Sequence, residues 1–312
     1  MDIRISAGII LYYPQKERLF QNIENISQDV ENLYIYNNGC DKDILKELSS
    51  YNEKIHLLGD GNNVGIATAM NEIMKQGEKN KDEWLVTFDQ DSVSDVNLIN
   101  AFRQNIDHPE AAILCPQVID IRRKYMEAEQ SDKIVSVDRC ITSASCTRVS
   151  AWKQIGGFDD FLFIDLVDND FCKRLKLAGW DILKLYSVVL NQEFGNIELK
   201  SEKKVKRIMK VSDFVKTKLK MKTLANNIAK LSYKKIVSPL RVYYSNRNII
   251  YLNKKFSKYG GIGYDCYSCH TYFGFQICFN LASVLRGKHK IKIIKAVIKG
   301  KKDGRKAKVD PV

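Results

Sequence analysis

Two acids one residue apart, Asp89 and Asp91 in WLVTFDQDS, follow the short apolar run Trp84–Phe88. In an extended chain residues i and i+2 point to the same side, so these carboxylates face together where the run ends. Open α/β sheets bind ligands outside the carboxyl ends of their strands. Two carboxylates there can hold a hard divalent cation, Mg2+ or Mn2+, with positions left for diphosphate oxygens; the competing reading is a polar turn. A second acidic group, Asp159, Asp160, Asp165, Asp168 and Asp170, lies in GFDDFLFIDLVDNDFCKRLKLAG before or within a helical pattern that carries Lys173, Arg174 and Lys176 further on. Early acids and late bases suit the helix dipole, and Asp170 with Arg174 has the spacing of an i,i+4 ion pair. Asp168 is placed differently, where loop becomes helix and flanked by Val167 and Phe171. There it is either a structural cap or a general base kept in an apolar setting.

The flanking pattern predicts the scaffold these acids need. Ile3–Tyr12 is a continuous apolar run ended by Pro14, and Glu17–Ile26 has helical spacing. Leu33–Tyr36 is a second run, stopped by Asn37-Asn38-Gly39 and followed by helix-like Ile44–Leu48. Ile55–Leu58 is a third, leading through Asn62-Asn63 to a helix over Gly65–Met74. With Trp84–Phe88 as a fourth strand, the alternation predicts an α/β sandwich with a mainly parallel central sheet. Ala111–Pro116 reads as a further strand, Asp120–Asp138 as a loop or hairpin region over the sheet, and Thr142–Cys146 as a strand. Helices are expected over Val149–Ile155 and Val167–Ala178, then an extended stretch over Trp180–Val189.

Charge divides the chain. Residues 1–199 hold 21 Lys+Arg against 32 Asp+Glu, and residues 200–312 hold 29 against 5. An acidic first domain, 1–199, is therefore expected before a basic, mainly helical region, 200–312, with a soft boundary near 196–202. Such a region suits anionic lipid, nucleic acid or phosphorylated substrates, or serves as a solubilising tail. At 45% apolar residues with only 5 Pro and 17 Gly, disorder and collagen are excluded. No apolar run is long enough for a membrane span, and the amino terminus lacks a cleavable leader pattern. Eight scattered cysteines then point to reduced thiols in a cytosolic compartment.

In this order the motifs resemble family 2 inverting glycosyltransferases of GT-A fold, in particular their bacterial rhamnosyltransferase-like branch. The matching pieces are IILYYPQKERL, IYNNGCD, NNVGIATAMN, FDQDS, GGFDDFLFIDLVDNDFCKRLKLAG and RVYYSNRNIIY. The resemblance implies that Leu11, Tyr12, Asn37 and Asn63 contact the nucleoside of a nucleotide sugar. It implies that Asp89 and Asp91 bind the divalent ion and through it the donor diphosphate, and that Asp168 is the catalytic base. Asp165 would orient sugar or acceptor hydroxyls. Three departures matter: Asn37 stands where the family usually has Asp, Val167 where Glu is common, and Gln192 where many relatives have His. Gln192 can hydrogen-bond a phosphate but brings no charge, so diphosphate stabilisation would lean on the metal and on basic groups such as Arg247.

The implied reaction moves L-rhamnose from dTDP-β-L-rhamnose to a lipid-linked glycan of a bacterial surface polysaccharide, with inversion. The alternatives are another donor, UDP-hexose or galactofuranose, and a non-catalytic basic module for membrane or nucleic acid. Lysines interleaved with apolar residues over 200–235 and 288–302 have the pattern of amphipathic helices on an anionic membrane surface, at the cytoplasmic face and without nucleic acid. Cys266-Tyr267-Ser268-Cys269-His270 spells a haem-attachment pattern, but haem c needs export and a zinc site would need two more ligands; packing cysteines are expected.

Overall fold

The computed structural model describes residues 3–309 other than Lys124, Asn196 and Ser268. Asn196 of the expected boundary and Ser268 of the Cys266–His270 motif thus lie outside the described residues. The chain forms two compact units, Met1–Val118 with Ala128–Gln192, and Ile119–Glu127 with Glu193–Val312.

The first unit begins with β1 (Ile5–Leu11), α1 (Lys16–Ser27), β2 (Leu33–Asn37), α2 (Lys42–Tyr51), β3 (Ile55–Leu58), α3 (Ile66–Lys79) and β4 (Trp84–Asp89). It continues through β5 (Val93–Ser94), α4 (Leu98–Gln104), β6 (Ala111–Ile119), β7 (Ile134–Ser136), β8 (Ser145–Arg148), α5 (Val149–Gln154), α6 (Val167–Leu177) and β9 (Asp181–Asn191). One sheet runs β3-β2-β1-β4-β8-β6-β9-β5, with β7 also on β9. The ladders from β3 to β4 are parallel, and the ladders that β8 makes with β4 and β6 are antiparallel. The expected mainly parallel α/β sheet is present, and its parallel half carries the loops of interest.

The runs are continuous because these strands are covered on both faces. Leu19, Ile23 and Ile26 of α1 sit three and four residues apart and join β1 and β2 in the core. Ala67, Met70 and Met74 of α3 are buried too, and Ile73 lies against Gly8 of β1. Each fully buried Leu or Ile contributes roughly 1.5–3 kcal/mol.

The strand expected at Thr142–Cys146 starts three residues later. Residues 142–144 bend back onto β4, where Thr87 Oγ1 donates to Thr142 O at 2.6 Å and Ala144 N donates to Thr87 O at 2.6 Å. Ala144 takes φ +57° to do so. The stretch expected to be loop or hairpin contains β7, an added strand on β9.

The second unit contains β10 (Ile197–Leu199), α7 (Glu202–Thr217), α8 (Lys222–Ala229), β11 (Tyr233–Lys235), α9 (Pro239–Lys255), α10 (Tyr272–Phe275), α11 (Ala282–Arg286) and α12 (Lys290–Lys306). It is mainly helical, but β10 and β11 add an antiparallel ladder that the basic composition did not signal. Asp120 is fully buried, held by Arg122 Nε at 2.8 Å, Arg123 Nε at 3.0 Å and the backbone N–H of Phe194 at 3.1 Å. Burial alone would raise its pKa; the Arg122 and Phe194 hydrogen bonds outweigh it and hold the carboxyl at about 2. Helices α9 and α12 touch backbone to backbone: a Cβ on Gly300 would lie 2.4 Å from Tyr243 O, and one on Gly304 2.5 Å from Arg247 O. Among the described residues no helix is long and apolar enough to cross a membrane.

Candidate active site

The loops after β1, β2, β3 and β4 leave the same end of the parallel half and are sewn to one another. Asn38 N donates to Leu11 O at 3.0 Å and Tyr13 N to Gly39 O at 2.9 Å. Gln90 reaches back to β1, its Oε1 accepting from Tyr12 N at 2.5 Å and its Nε2 donating to Tyr12 O at 2.7 Å. Tyr12 stands half exposed at the rim, its ring against Gly39. Leu11 is fully buried in the core, so at this end of β1 Tyr12 is the residue with surface to offer a ligand. Asn37 folds its own turn, Oδ1 accepting from Gly39 N at 3.3 Å and Cys40 N at 3.0 Å. Asn63 does the same for the next loop through Gly65 N at 3.1 Å, and its side chain is exposed.

Asp89 ends β4, and Asp91 follows in a turn closed by Ser92 N on Asp89 O at 3.1 Å, so the extended-chain alternation expected to align the two acids stops at Asp89. Both carboxylates accept from one amide: Gln192 Nε2 lies 3.1 Å from Asp89 Oδ2 and 3.4 Å from Asp91 Oδ1. Gln192 comes directly after β9, whose pairing with β5 sets it beside Ser92. Its Oε1 accepts from Ser92 Oγ, which lies 2.6 Å from Ser143 Oγ, and Ser143 Oγ accepts from Asp89 N at 3.1 Å. All three of these side chains are buried, so the amide is turned with its N–H groups toward the acids. Arg18 of α1 holds the loop from outside, its Nε 3.0 Å from Asp91 O. Two carboxylates converging on one positively polarised donor are a hard oxygen set that fits a divalent cation. No group of three or more His, Cys, Asp or Glu able to hold a metal occurs among the described residues; a cation here would complete its shell with water and ligand oxygens, as Mg2+ commonly does.

Asp168 occupies the second position of α6. It lines a cavity of about 10 Å3, room for about one water molecule, together with Thr87, Thr142, Ser145, Phe158 and Phe171. Thr87 precedes Asp89 by two residues on β4, and Thr142 precedes the Ser143 that binds Asp89 N. The cavity beside Asp168 thus borders the β4 and 142–143 backbone that also holds Asp89, while Asp89 and Asp91 are not among its lining residues. Burial pushes the Asp168 pKa up to about 6, with the nearby Asp165 charge adding to it against the Asn169 N–H bond and Arg139. Asp165 and Leu166 enter the helix with φ of +70° and +65°, a conformation costly for residues with a Cβ.

That entry is braced. Asn71 of α3, almost fully buried, donates to Phe158 O at 2.9 Å and to Asp160 Oδ1 at 2.9 Å, and its Oδ1 accepts from Phe158 N and Trp152 Nε1. Phe163 O accepts from Ile66 N at 2.7 Å, and Phe163 crowds Gly65, whose φ of +86° and lack of a Cβ allow the approach. Asp170 is fully buried in a two-pronged bond to Arg174, with 2.8 and 2.7 Å contacts, so it serves the helix. Arg247 lies in α9 of the second unit, its guanidinium over Tyr244 and donating to Asn248 Oδ1 at 2.8 Å. Sequence reasoning missed Asn71, Ser92 and Ser143. Ser92 stood beside the acid pair and Asn71 closes the NNVGIATAMN piece, which were usable signals; Ser143 carried none, because it acts through partners distant in sequence.

Residues 16–162 match the model of the family described as Glycosyl transferase family 2. The dTDP-rhamnosyl transferase RfbF of Shigella flexneri is 28% identical, over 56% of this chain and 64% of the relative. This chain thus spans a little under two thirds of that relative's length. Among solved structures, S. aureus TarS superposes with a TM-score of 0.51 at 11% identity, over 96% of this chain and 55% of TarS. GalNAc-T7 with UDP, GalNAc and Mn2+ gives 0.51 at 10% identity, over 61% and 44% of the two chains. At such identity the likeness speaks for the fold, which is GT-A-like.

Proposed function

We propose that this chain, whose residues 16–162 match the Glycosyl transferase family 2 model, transfers L-rhamnose from dTDP-β-L-rhamnose to a lipid-linked saccharide, inverting the anomeric carbon. Tyr12, Asn37 and Asn63 form the rim for the nucleoside. Asp89 and Asp91 would hold Mg2+ or Mn2+, which when bound neutralises charge on the departing diphosphate. Asp168 takes the proton of the acceptor hydroxyl while that oxygen bonds to the anomeric carbon. The bond from that carbon to the diphosphate breaks, its electron pair leaving with the nucleoside diphosphate. Asp165, three residues ahead of Asp168 in the loop that enters α6, orients sugar or acceptor hydroxyls. Gln192 keeps its N–H groups toward the acids and, with them, toward donor phosphate.

The observation that carries this reading is the convergence of Asp89 and Asp91 on the Gln192 amide at the end of the parallel strands, and the raised pKa of the Asp168 carboxyl supports its part as base. The choice of rhamnose rests on the Shigella relative, and a GT-A neighbour solved with Mn2+ supports a divalent ion. A lipid-linked acceptor places the chain peripherally at the inner face of the cell membrane.

Nucleoside diphosphate release, measured across a panel of nucleotide sugars with Mg2+ or Mn2+ and a lipid-linked acceptor, tests it. The expected result is fastest release from dTDP-rhamnose, dependent on acceptor. Equal or faster release from a UDP-sugar would remove the rhamnose assignment, and no release from any donor would remove transfer itself.

A further inference from the structure

The second unit carries an apolar surface that its own packing leaves open. Residues 272–286 form one continuous helix, α10 and α11 joined by a π-helical segment, Gln276–Leu281. Thr271 starts it, its Oγ1 accepting from Gly274 N at 3.0 Å. Not one of residues 272–285 is charged. Phe273, Ile277, Leu281 and Leu285 recur every fourth position and are 72%, 46%, 50% and 65% exposed. Around an ordinary α-helix of 3.6 residues per turn, each fourth residue drifts forward by about 40°. The wider π-turn takes that drift back, so the four side chains stay in one line. Phe275, Asn280 and Ser283 are buried instead.

Directly after this helix the composition changes. Residues 286–308 hold eleven Lys or Arg and one acid, Asp303, which accepts from Tyr243 Oη at 2.8 Å inside the α9 and α12 pair. Ile291, Ile294 and Ile298 share an exposed face of α12, and Lys290, Lys292, Lys295 and Lys299 beside them are exposed as well. Gly300 and Gly304 take the opposite role, seating α12 on α9.

We infer that the helix 272–286 and the exposed face of α12 dock on an anionic lipid bilayer, the line of four apolar side chains entering the acyl boundary and the lysines of α12 meeting headgroup phosphates. Charge complementarity selects this occupant: an uncharged stripe followed at once by a dense positive field fits lipid with negative headgroups. Fifteen residues make a helix of about 22 Å, short of the roughly 30 Å hydrocarbon core, so the helix lies along the surface. This deepens the membrane part of the proposed function by naming the face involved, and it needs no turnover to be tested.

The full chain, without donor or acceptor, is sedimented with vesicles of phosphatidylcholine alone or mixed with phosphatidylglycerol. Expected are binding to the mixed vesicles that weakens with salt, at least about tenfold weaker partitioning for the pair Ile277→Asp and Leu281→Asp, and loss of the preference for anionic vesicles in the triple variant Lys290→Glu, Lys292→Glu and Lys295→Glu. Circular dichroism spectra matching the parent would establish that these surface variants fold, with Leu285→Asp as a milder substitute. A parent chain that stays in the supernatant, or stripe variants that bind as well as the parent, would overturn the inference. So would a parent dimer that the stripe variants turn into monomer with vesicle binding unchanged, since the face would then belong to a second copy of the chain.

Discussion

Asp168 has the property a general base needs near neutral pH, a carboxyl whose charge is resisted by its surroundings. With a pKa of about 6, it is protonated on the acid side and ionised above, so kcat/KM should rise with pH through an inflection near 6. Asp168→Asn should lower turnover by about 100-fold or more and erase that inflection. A raised carboxyl pKa destabilises the folded state once pH passes the unfolded value, because the charged form is better solvated in the unfolded chain. The Asn variant should therefore unfold at the same denaturant concentration as the parent, or higher, at pH 7. Asp91→Ala would remove one of the two carboxylates proposed to hold the cation, and its expected signature is different: loss of Mn2+ binding in titration calorimetry or electron paramagnetic resonance, and weaker donor affinity.

At the scale of elements, Asn71 is the fastener. It joins α3 to the loop that leads into α6, satisfying Phe158 N, Phe158 O and Trp152 Nε1 with one side chain. Removing it leaves buried backbone groups unpaired, so Asn71→Ala should cost about 3 kcal/mol in denaturant unfolding. It should also reduce kcat more than it weakens donor binding, because the loop it releases carries Asp165 and leads into α6 with Asp168, while Tyr12, Asn37 and Asp89 are held elsewhere. The two residues at positive φ ahead of α6 point the same way: such backbone persists only where neighbours over-determine it, and here Phe163 is pinned to Ile66 N and wedged on Gly65.

For the whole molecule, two units with opposite charge balance imply different responses to pH. In the second, Asp120 ties residues 119–127 to the chain after β9 through Arg122, Arg123 and Phe194. Its pKa is depressed to about 2 against roughly 3.9 unfolded, so its stabilisation is present above about pH 4 and lost as pH falls through about 2. Asp120→Asn should destabilise by about 2–3 kcal/mol at pH 7, because the half-buried Arg122 and Arg123 lose the charged acceptor they share. Denaturation curves of variant and parent should approach each other toward pH 2.

The sequence by itself determined the repeating strand and helix pattern, the position of Asp89 and Asp91 at the end of β4, and the basic character of the second unit. Those features are local: a continuous apolar run, the acids that directly follow it and a charge count depend only on neighbours in the chain. Only the tertiary structure decided that Gln192, one hundred residues on, points its amide at both acids, that Ser92 and Ser143 aim it, and that Leu11 is core. It also decided that residues 119–127 pack with the second unit and that residues 142–144 bend back onto β4. Each depends on which buried donor finds which acceptor once the sheet closes, and a hydrogen bond between residues far apart leaves no periodicity to read beforehand.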